Sequence, residues 1–223
     1  MAHIAVLGLG NWGTAIARLW LLEGHRVKGW TIEQEVYESI TMDGINRKYL
    51  PQQSVEGLEA TMHLEEALDG VEIVVLAIPS SVILNVVDDI LPFLRPGHVL
   101  LDLAKGLAPG KRLISQAIHE ALRNANCSNP LAVLTGPTIA PEAAGGVMTT
   151  ALVASEDLSV AERLADTLST PTLLLHAASD PEGAELWGAF KNVVALACGL
   201  VDGLKTTGCL LYTSDAADEV QCV

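Results

Sequence analysis

The chain of 223 residues is short of positive charge and of aromatic rings: Lys and Arg total 13 against 27 Asp and Glu, a net charge of −14, and the rings are two Phe, four Trp and three Tyr. Without a basic stripe to release counterions from a phosphate backbone, nucleic acid is excluded as a partner. Long apolar runs are missing too. Asp, Glu, Pro or Gly interrupts each one before the roughly 18 residues that a membrane span needs, so no span is expected. The start, Met1-Ala2-His3-Ile4, carries no basic region or cleavage site of a secretory signal. Cys127, Cys198, Cys209 and Cys222 show neither metal-ligand pairing nor a disulfide framework, and the histidines are scattered. No metal is therefore assigned, and a cytoplasmic location is expected. What is present is core-forming: 50% hydrophobic residues, 18% charged and a mean hydropathy of +0.36 exclude disorder.

Short aliphatic runs alternate with amphipathic stretches. The runs are Ile4–Leu7, Val27–Trp30, Ile73–Ile78, Val99–Leu103 and Leu131–Leu134, each bounded by Gly, Pro or charge. Apolar runs of that length suit strands buried on both faces. Helical patterns lie between them at Thr14–Glu23, Glu33–Met42, Leu64–Leu68, Val82–Leu91 and Leu113–Ala125. The alternation predicts an α/β fold, a Rossmann-like doubly wound parallel sheet built from right-handed βαβ units. Further strands are expected at Thr149–Ala154 and Leu173–His176, with a helix between them, and Pro181 opens a long helix reaching about Leu204. That helix is read as the start of an all-helical second domain, giving a dinucleotide-binding domain at 1–180 and helical sequence from 181.

Gly8-Leu9-Gly10-Asn11-Trp12-Gly13 fits G-x-G-x-x-G between the first strand and the first helix. Gly8 allows a tight turn, Gly10 lets a pyrophosphate approach the backbone, and Gly13 lets helix and strand pack closely. The pyrophosphate would meet free N–H groups at the positive end of a helix. Glu33 stands 20 residues after Gly13, where NAD binders place an acid for the ribose 2′-hydroxyl, and nothing from 31 to 35 is basic. NAD is favoured, with NADP allowed because Arg47 and Lys48 can fold back toward the adenosine. The plainer alternative is that Glu33 and Glu35 simply open an exposed helix.

Two lysines stand in apolar surroundings. Lys105 follows Leu100-Leu101-Asp102-Leu103-Ala104, at the carboxyl end of an expected strand, where ligands bind in open α/β sheets. Lys191 lies in Trp187-Gly188-Ala189-Phe190-Lys191-Asn192, a helix nearly devoid of charge. Desolvated lysines exchange protons near neutral pH; the alternative is a pair of snorkelling side chains with their amines in water.

Gly8–Ala15, Asn46-Arg47-Lys48-Tyr49-Leu50-Pro51, Ala77-Ile78-Pro79-Ser80, Ala104-Lys105-Gly106, Leu134-Thr135-Gly136-Pro137-Thr138 and Phe190–Ala195 occur in that order. Over residues 3–208 the chain thereby resembles the NAD(P)-dependent sn-glycerol-3-phosphate dehydrogenases. The resemblance implies hydride transfer between a nicotinamide and the three-carbon phosphate, interconverting dihydroxyacetone phosphate and sn-glycerol 3-phosphate, a phospholipid precursor. It implies Lys191 as general acid/base, Lys105 as a contact to both cofactor and substrate, and Gly136, Thr138 and Asn192 as substrate contacts. Asn11, Trp12, Ile32, Tyr49, Pro79 and Ala140 are implied on the cofactor side, and a homodimer is a family possibility. Two other readings stay open: a related two-domain dehydrogenase acting on a hydroxy acid, and a non-catalytic NAD-binding module.

Past Leu204 the chain departs from the family pattern. Cys209–Val223 reads like a translated sequencing adapter, and is taken as a non-native tail. The resemblance places an assisting Asp and an Arg-Asn pair for the substrate phosphate in helical sequence beyond this point. Weak turnover by these 223 residues is the corresponding expectation.

Overall fold

A computed structural model describes residues 1–204. Its strands are β1 (His3–Leu7), β2 (Arg26–Trp30), β3 (Glu59–Thr61), β4 (Ile73–Leu76), β5 (Val99–Asp102), β6 (Leu131–Thr135), β7 (Thr149–Ser155) and β8 (Leu173–Ala178). The helices are α1 (Asn11–Leu22), α2 (Gln34–Asp43), α3 (Leu64–Leu68), α4 (Ile83–Ile90), α5 (Ile114–Asn124), α6 (Ala140–Ala144), α7 (Leu158–Leu168) and α8 (Pro181–Leu204). The residues of the expected tail lie outside the described ones.

One sheet runs in the order β3-β2-β1-β4-β5-β6-β7-β8. The central strands β1, β4, β5 and β6 are mostly apolar because they are covered on both sides, and the pleat sends alternate residues to opposite faces. Ile4 and Val6 of β1 join Ile16 and Trp20 of α1 and Leu164 and Leu168 of α7 in one core. Ala5 and Leu7 join Ile83 and Ile90 of α4 and Ile114 and Ile118 of α5 in the other. Each fully buried Leu or Ile contributes about 2 kcal/mol by leaving water. This is a Rossmann-like α/β architecture with the start of a helical segment after it.

The sheet is not parallel throughout. β1 to β6 form the expected parallel set, but β7 pairs antiparallel with β6 and β8 parallel with β7. The cause is the connection after β6. Its short helix α6 docks Ala144 against Ala15 of α1 and against Leu50, so the chain stays at the carboxyl edge and re-enters the sheet from there. Gly136 serves the same turn: a Cβ there would lie 2.9 Å from both the Thr150 carbonyl oxygen and the Ala151 Cα. β3 and α6 are additions to the sequence-based elements.

Helix α8 leaves the sheet. Glu185, only 3% exposed, accepts hydrogen bonds from the backbone N–H of Ile114, from the N–H of Ser115 at 3.1 Å and from the Ser115 hydroxyl. A carboxylate from α8 thus caps α5, satisfying donors that a helix start leaves orphaned. Farther on, Leu186, Trp187, Phe190, Val193, Val194, Leu196, Leu200 and Val201 are exposed. By length and composition Pro181–Val201, with a mean hydropathy of 1.3, is long and apolar enough to cross a membrane. The sequence-based expectation concerned uninterrupted apolar runs, and Glu182, Gly183, Glu185, Gly188 and Lys191 interrupt this one too. The buried Glu185 and its bonds to α5 bind the start of that stretch to the sheet domain.

Candidate functional site

A cleft of about 800 Å³ opens at the carboxyl edge of the sheet, where the strand order reverses between β1 and β4. In open α/β sheets this switch point is where ligands bind. Five strand ends supply its walls: Gly8–Gly13 after β1, Thr31–Glu33 after β2, Ala77–Pro79 after β4, Leu103–Lys105 after β5 and Thr138–Pro141 after β6.

The glycine turn has a separate physical reason at each position. Gly8 adopts φ +99°, and a Cβ there would sit 2.4 Å from the Ala77 carbonyl oxygen. At Gly13 a Cβ would come within 1.9 Å of the Gly8 carbonyl oxygen, whereas at Gly10 it would meet nothing within 4 Å. The first and third glycines are therefore required by packing, and the second leaves open space over the start of α1. Gly10 is the N-cap of α1 and offers no side-chain cap, so the N–H groups of that twelve-residue helix remain available to an anion.

The second wall is a hydrogen-bonded loop. Asn46 is fully buried. Its amide donates to the Leu9 carbonyl and to the Thr14 hydroxyl, both at 2.9 Å, and its carbonyl accepts from the N–H of Tyr49 at 3.1 Å. The loop is thereby fastened to the glycine turn, and it presents Lys48 and Tyr49 to Glu33. Lys48 Nζ pairs with Glu33 Oε2, and the Tyr49 hydroxyl donates to Oε1 at 2.7 Å. These two bonds, Lys48 first, hold the Glu33 carboxyl below its ordinary range. Arg47 turns away to pair with Asp43 at 3.1 Å on the surface.

The third wall carries Lys105, which is exposed at the cleft rather than desolvated, contrary to its apolar sequence neighbourhood. Gly106 at φ +117° turns the chain there, while Leu103 and Ala108 go inward. Beneath it Asp102 is wholly buried. Its Oδ1 accepts from the N–H of Ala104 at 2.9 Å, and its Oδ2 has no hydrogen-bond partner among the described residues. Burial pushes this carboxyl up to about 8, opposed by the Ala104 bond and helped by the charge of Glu185. Burial therefore favours the protonated form of Asp102 at neutral pH.

The structure brings Gly8, Gly10, Asn11, Trp12, Gly13, Ile32, Glu33, Tyr49, Pro79, Lys105, Thr138 and Ala140 to one cleft. Gly136 is not in its lining. Lys191 and Asn192 belong to the backbone of α8, but their side chains lie outside the described residues. Helix α8 passes the end of β6 at Gly188, where a Cβ would be 2.5 Å from Thr135 Oγ1; Lys191 follows about one turn later, roughly 4.5 Å along the axis. Asp102, Glu185 and the role of Asn46 were missed by sequence reasoning. For Asp102 the available signal was a lone carboxylate inside an apolar run.

A Rossmann-type sheet with its glycine turn and switch-point cleft, running on into an apolar helix, has the architecture of the dinucleotide-binding class. The sequence model described as NAD-dependent glycerol-3-phosphate dehydrogenase N-terminus matches residues 3–161, and that of the C-terminus matches 180–212. The chain belongs to this family. Its relatives include a Rhodospirillum rubrum protein named glycerol-3-phosphate dehydrogenase (NAD(P)+), 42% identical over 205 residues, covering 91% of this chain and 57% of that one. A Halothermothrix orenii protein of the same name is 37% identical, covering 91% and 58%. Among solved structures, the glycerol-3-phosphate dehydrogenase of Coxiella burnetii superimposes with a TM-score of 0.82 at 32% identity, covering 93% of this chain and 63% of that one. The chain thus spans about three fifths of the length of such relatives.

Proposed function

We propose that the chain binds NAD(H) in preference to NADP(H), and that its activity is the interconversion of dihydroxyacetone phosphate and sn-glycerol 3-phosphate. The observation that carries this reading is the convergence of the glycine turn, Glu33 and Lys105 on one switch-point cleft. The residues present fit a dinucleotide: there is open space above Gly10, an uncapped helix start for the pyrophosphate, and a carboxylate at the end of β2 for a ribose hydroxyl. When bound, the nicotinamide supplies or accepts the hydride at its C4. The ammonium of Lys105, in the cleft wall, draws a phosphate-bearing ketone toward that end and polarises its carbonyl. Lys191 gives a proton to the carbonyl oxygen in the reducing direction and recovers it in the other. Thr138, 5% exposed and at the cleft floor, offers a hydroxyl to the bound substrate.

The test begins with NADH binding, followed by fluorescence of the reduced nicotinamide, and continues with NADH oxidation by dihydroxyacetone phosphate. Lys191→Ala is expected to abolish turnover while leaving NADH affinity within about twofold. Equal rates with unphosphorylated dihydroxyacetone, or undiminished turnover in Lys191→Ala, would overturn the assignment.

A further inference from the structure

The sequence sets Glu33 against any 2′-phosphate and leaves open whether Arg47 or Lys48 folds back to offset it. The structure changes that balance. Both Glu33 oxygens are engaged, one by Lys48 from 15 residues along the chain and one by Tyr49. The Lys48 ammonium also lies 5.2 Å from the centre of the Tyr49 ring, where a cation is attracted to the π face. The loop does not present Lys48 by accident of a flexible side chain alone, because buried Asn46 bolts its neighbour Tyr49 to the glycine turn. The other basic residue of the loop, Arg47, is committed to Asp43. Glu35 lies in the first turn of α2, and Asp89 is the other acid lining the cleft.

We propose that Lys48 is a specificity residue, the counter-charge to Glu33 that sets how strongly the cleft prefers NAD(H) over NADP(H). The inference rests on the cofactor reading above and deepens it. With Lys48 in place, the rim facing the adenosine ribose presents a neutral Glu33–Lys48 pair. A 2′-phosphate can recruit the ammonium, while Tyr49 continues to hold the carboxylate through its other oxygen. A 2′-hydroxyl needs only an acceptor and gains little from the lysine. Removal of Lys48 leaves Glu33 as an uncompensated charge, which repels a 2′-phosphate and spares a hydroxyl. At this half-exposed site one unit charge a few ångströms from a phosphate is worth on the order of tenfold in affinity, and salt reduces it.

The experiment titrates NADH and NADPH into the 223-residue chain, wild type and Lys48→Gln, Lys48→Arg and Glu33→Gln, by reduced-nicotinamide fluorescence at low and high salt. In Lys48→Gln the ratio of Kd for NADPH to Kd for NADH is expected to rise about tenfold at low salt, and by less at high salt. In Lys48→Arg the ratio should stay within about twofold, and in Glu33→Gln it should fall below that of wild type. NADH binding retained in the two Lys48 variants shows that the cleft is intact. A ratio unchanged in Lys48→Gln, with both nucleotides still bound, overturns this inference alone. A wild-type chain that binds neither nucleotide overturns the cofactor reading and the inference together.

Discussion

Helices α1 and α8 draw on the same apolar residues, Ala, Leu and Trp, and end in opposite surroundings. In α1, Trp20 is wholly buried and donates its indole N–H to the Leu168 carbonyl at 3.0 Å. In α8, Trp187 is 75% exposed and Leu200 is 69% exposed. An apolar stripe on α1 finds a sheet beneath it. Helix α8 is apolar nearly all round, the pattern of a helix surrounded by other helices, and it rests on β6, β7 and α5. Apolar residues therefore announce that a surface needs cover, whereas the covering partner is set by topology.

Substitutions can break or sharpen this contrast. The largest effect is expected from Gly13→Ala, whose Cβ meets the Gly8 carbonyl oxygen; it should destabilise the sheet domain by about 3 kcal/mol, read as a shift of the denaturant midpoint. Glu185→Ala leaves the N–H groups of Ile114 and Ser115 without their acceptor and should cost about 2 kcal/mol. Hydrogen exchange should quicken at the start of α5 and in α8, with the centre of the sheet unaffected. Asp102→Asn should stabilise. The native carboxyl holds its proton up to about pH 8, whereas the unfolded one loses it near 4, so wild-type stability falls as pH rises between those values. The asparagine variant escapes that decline, so its advantage should grow by up to about 1.4 kcal/mol per pH unit across this range and vanish below pH 4. Gly199→Ala, in open space on α8, should give the smallest change and the opposite sign to Gly13→Ala: local helix gains up to about 1 kcal/mol, seen as added helicity by circular dichroism. A loss there would mean that α8 is covered on that side.

Much of this architecture was legible because strands buried on both faces read as unbroken Val, Ile and Leu runs, and because Gly24, at φ +80°, ends α1 where a stop signal stood. β3 escaped notice: three residues, Glu59–Thr61, at a sheet edge carry no apolar run. The reversal of β7 was invisible because a strand covered on both faces has the same composition in either direction. At the cleft, the glycine turn and Lys105 could be found from position relative to the strands. The engagement of Glu33 by Lys48 and Tyr49 could not, since it depends on a buried Asn46 folding one loop onto another. Asp102 stood out in the sequence only as one carboxylate in an apolar run, and its lone buried oxygen emerges once β5 is enclosed between β4 and β6.

The hydrogen bonds of Glu185 give helix α8 a fulcrum. Lys191 lies six residues beyond it and Leu204 nineteen, so at ~1.5 Å per residue the two are about 9 Å and about 28 Å from the clamp. A tilt of about 10° around that point would carry the far end through about 5 Å but the lysine backbone through only about 1.5 Å. Whatever packs on the outer turns can swing, while the backbone of Lys191 keeps nearly the same distance from the cleft.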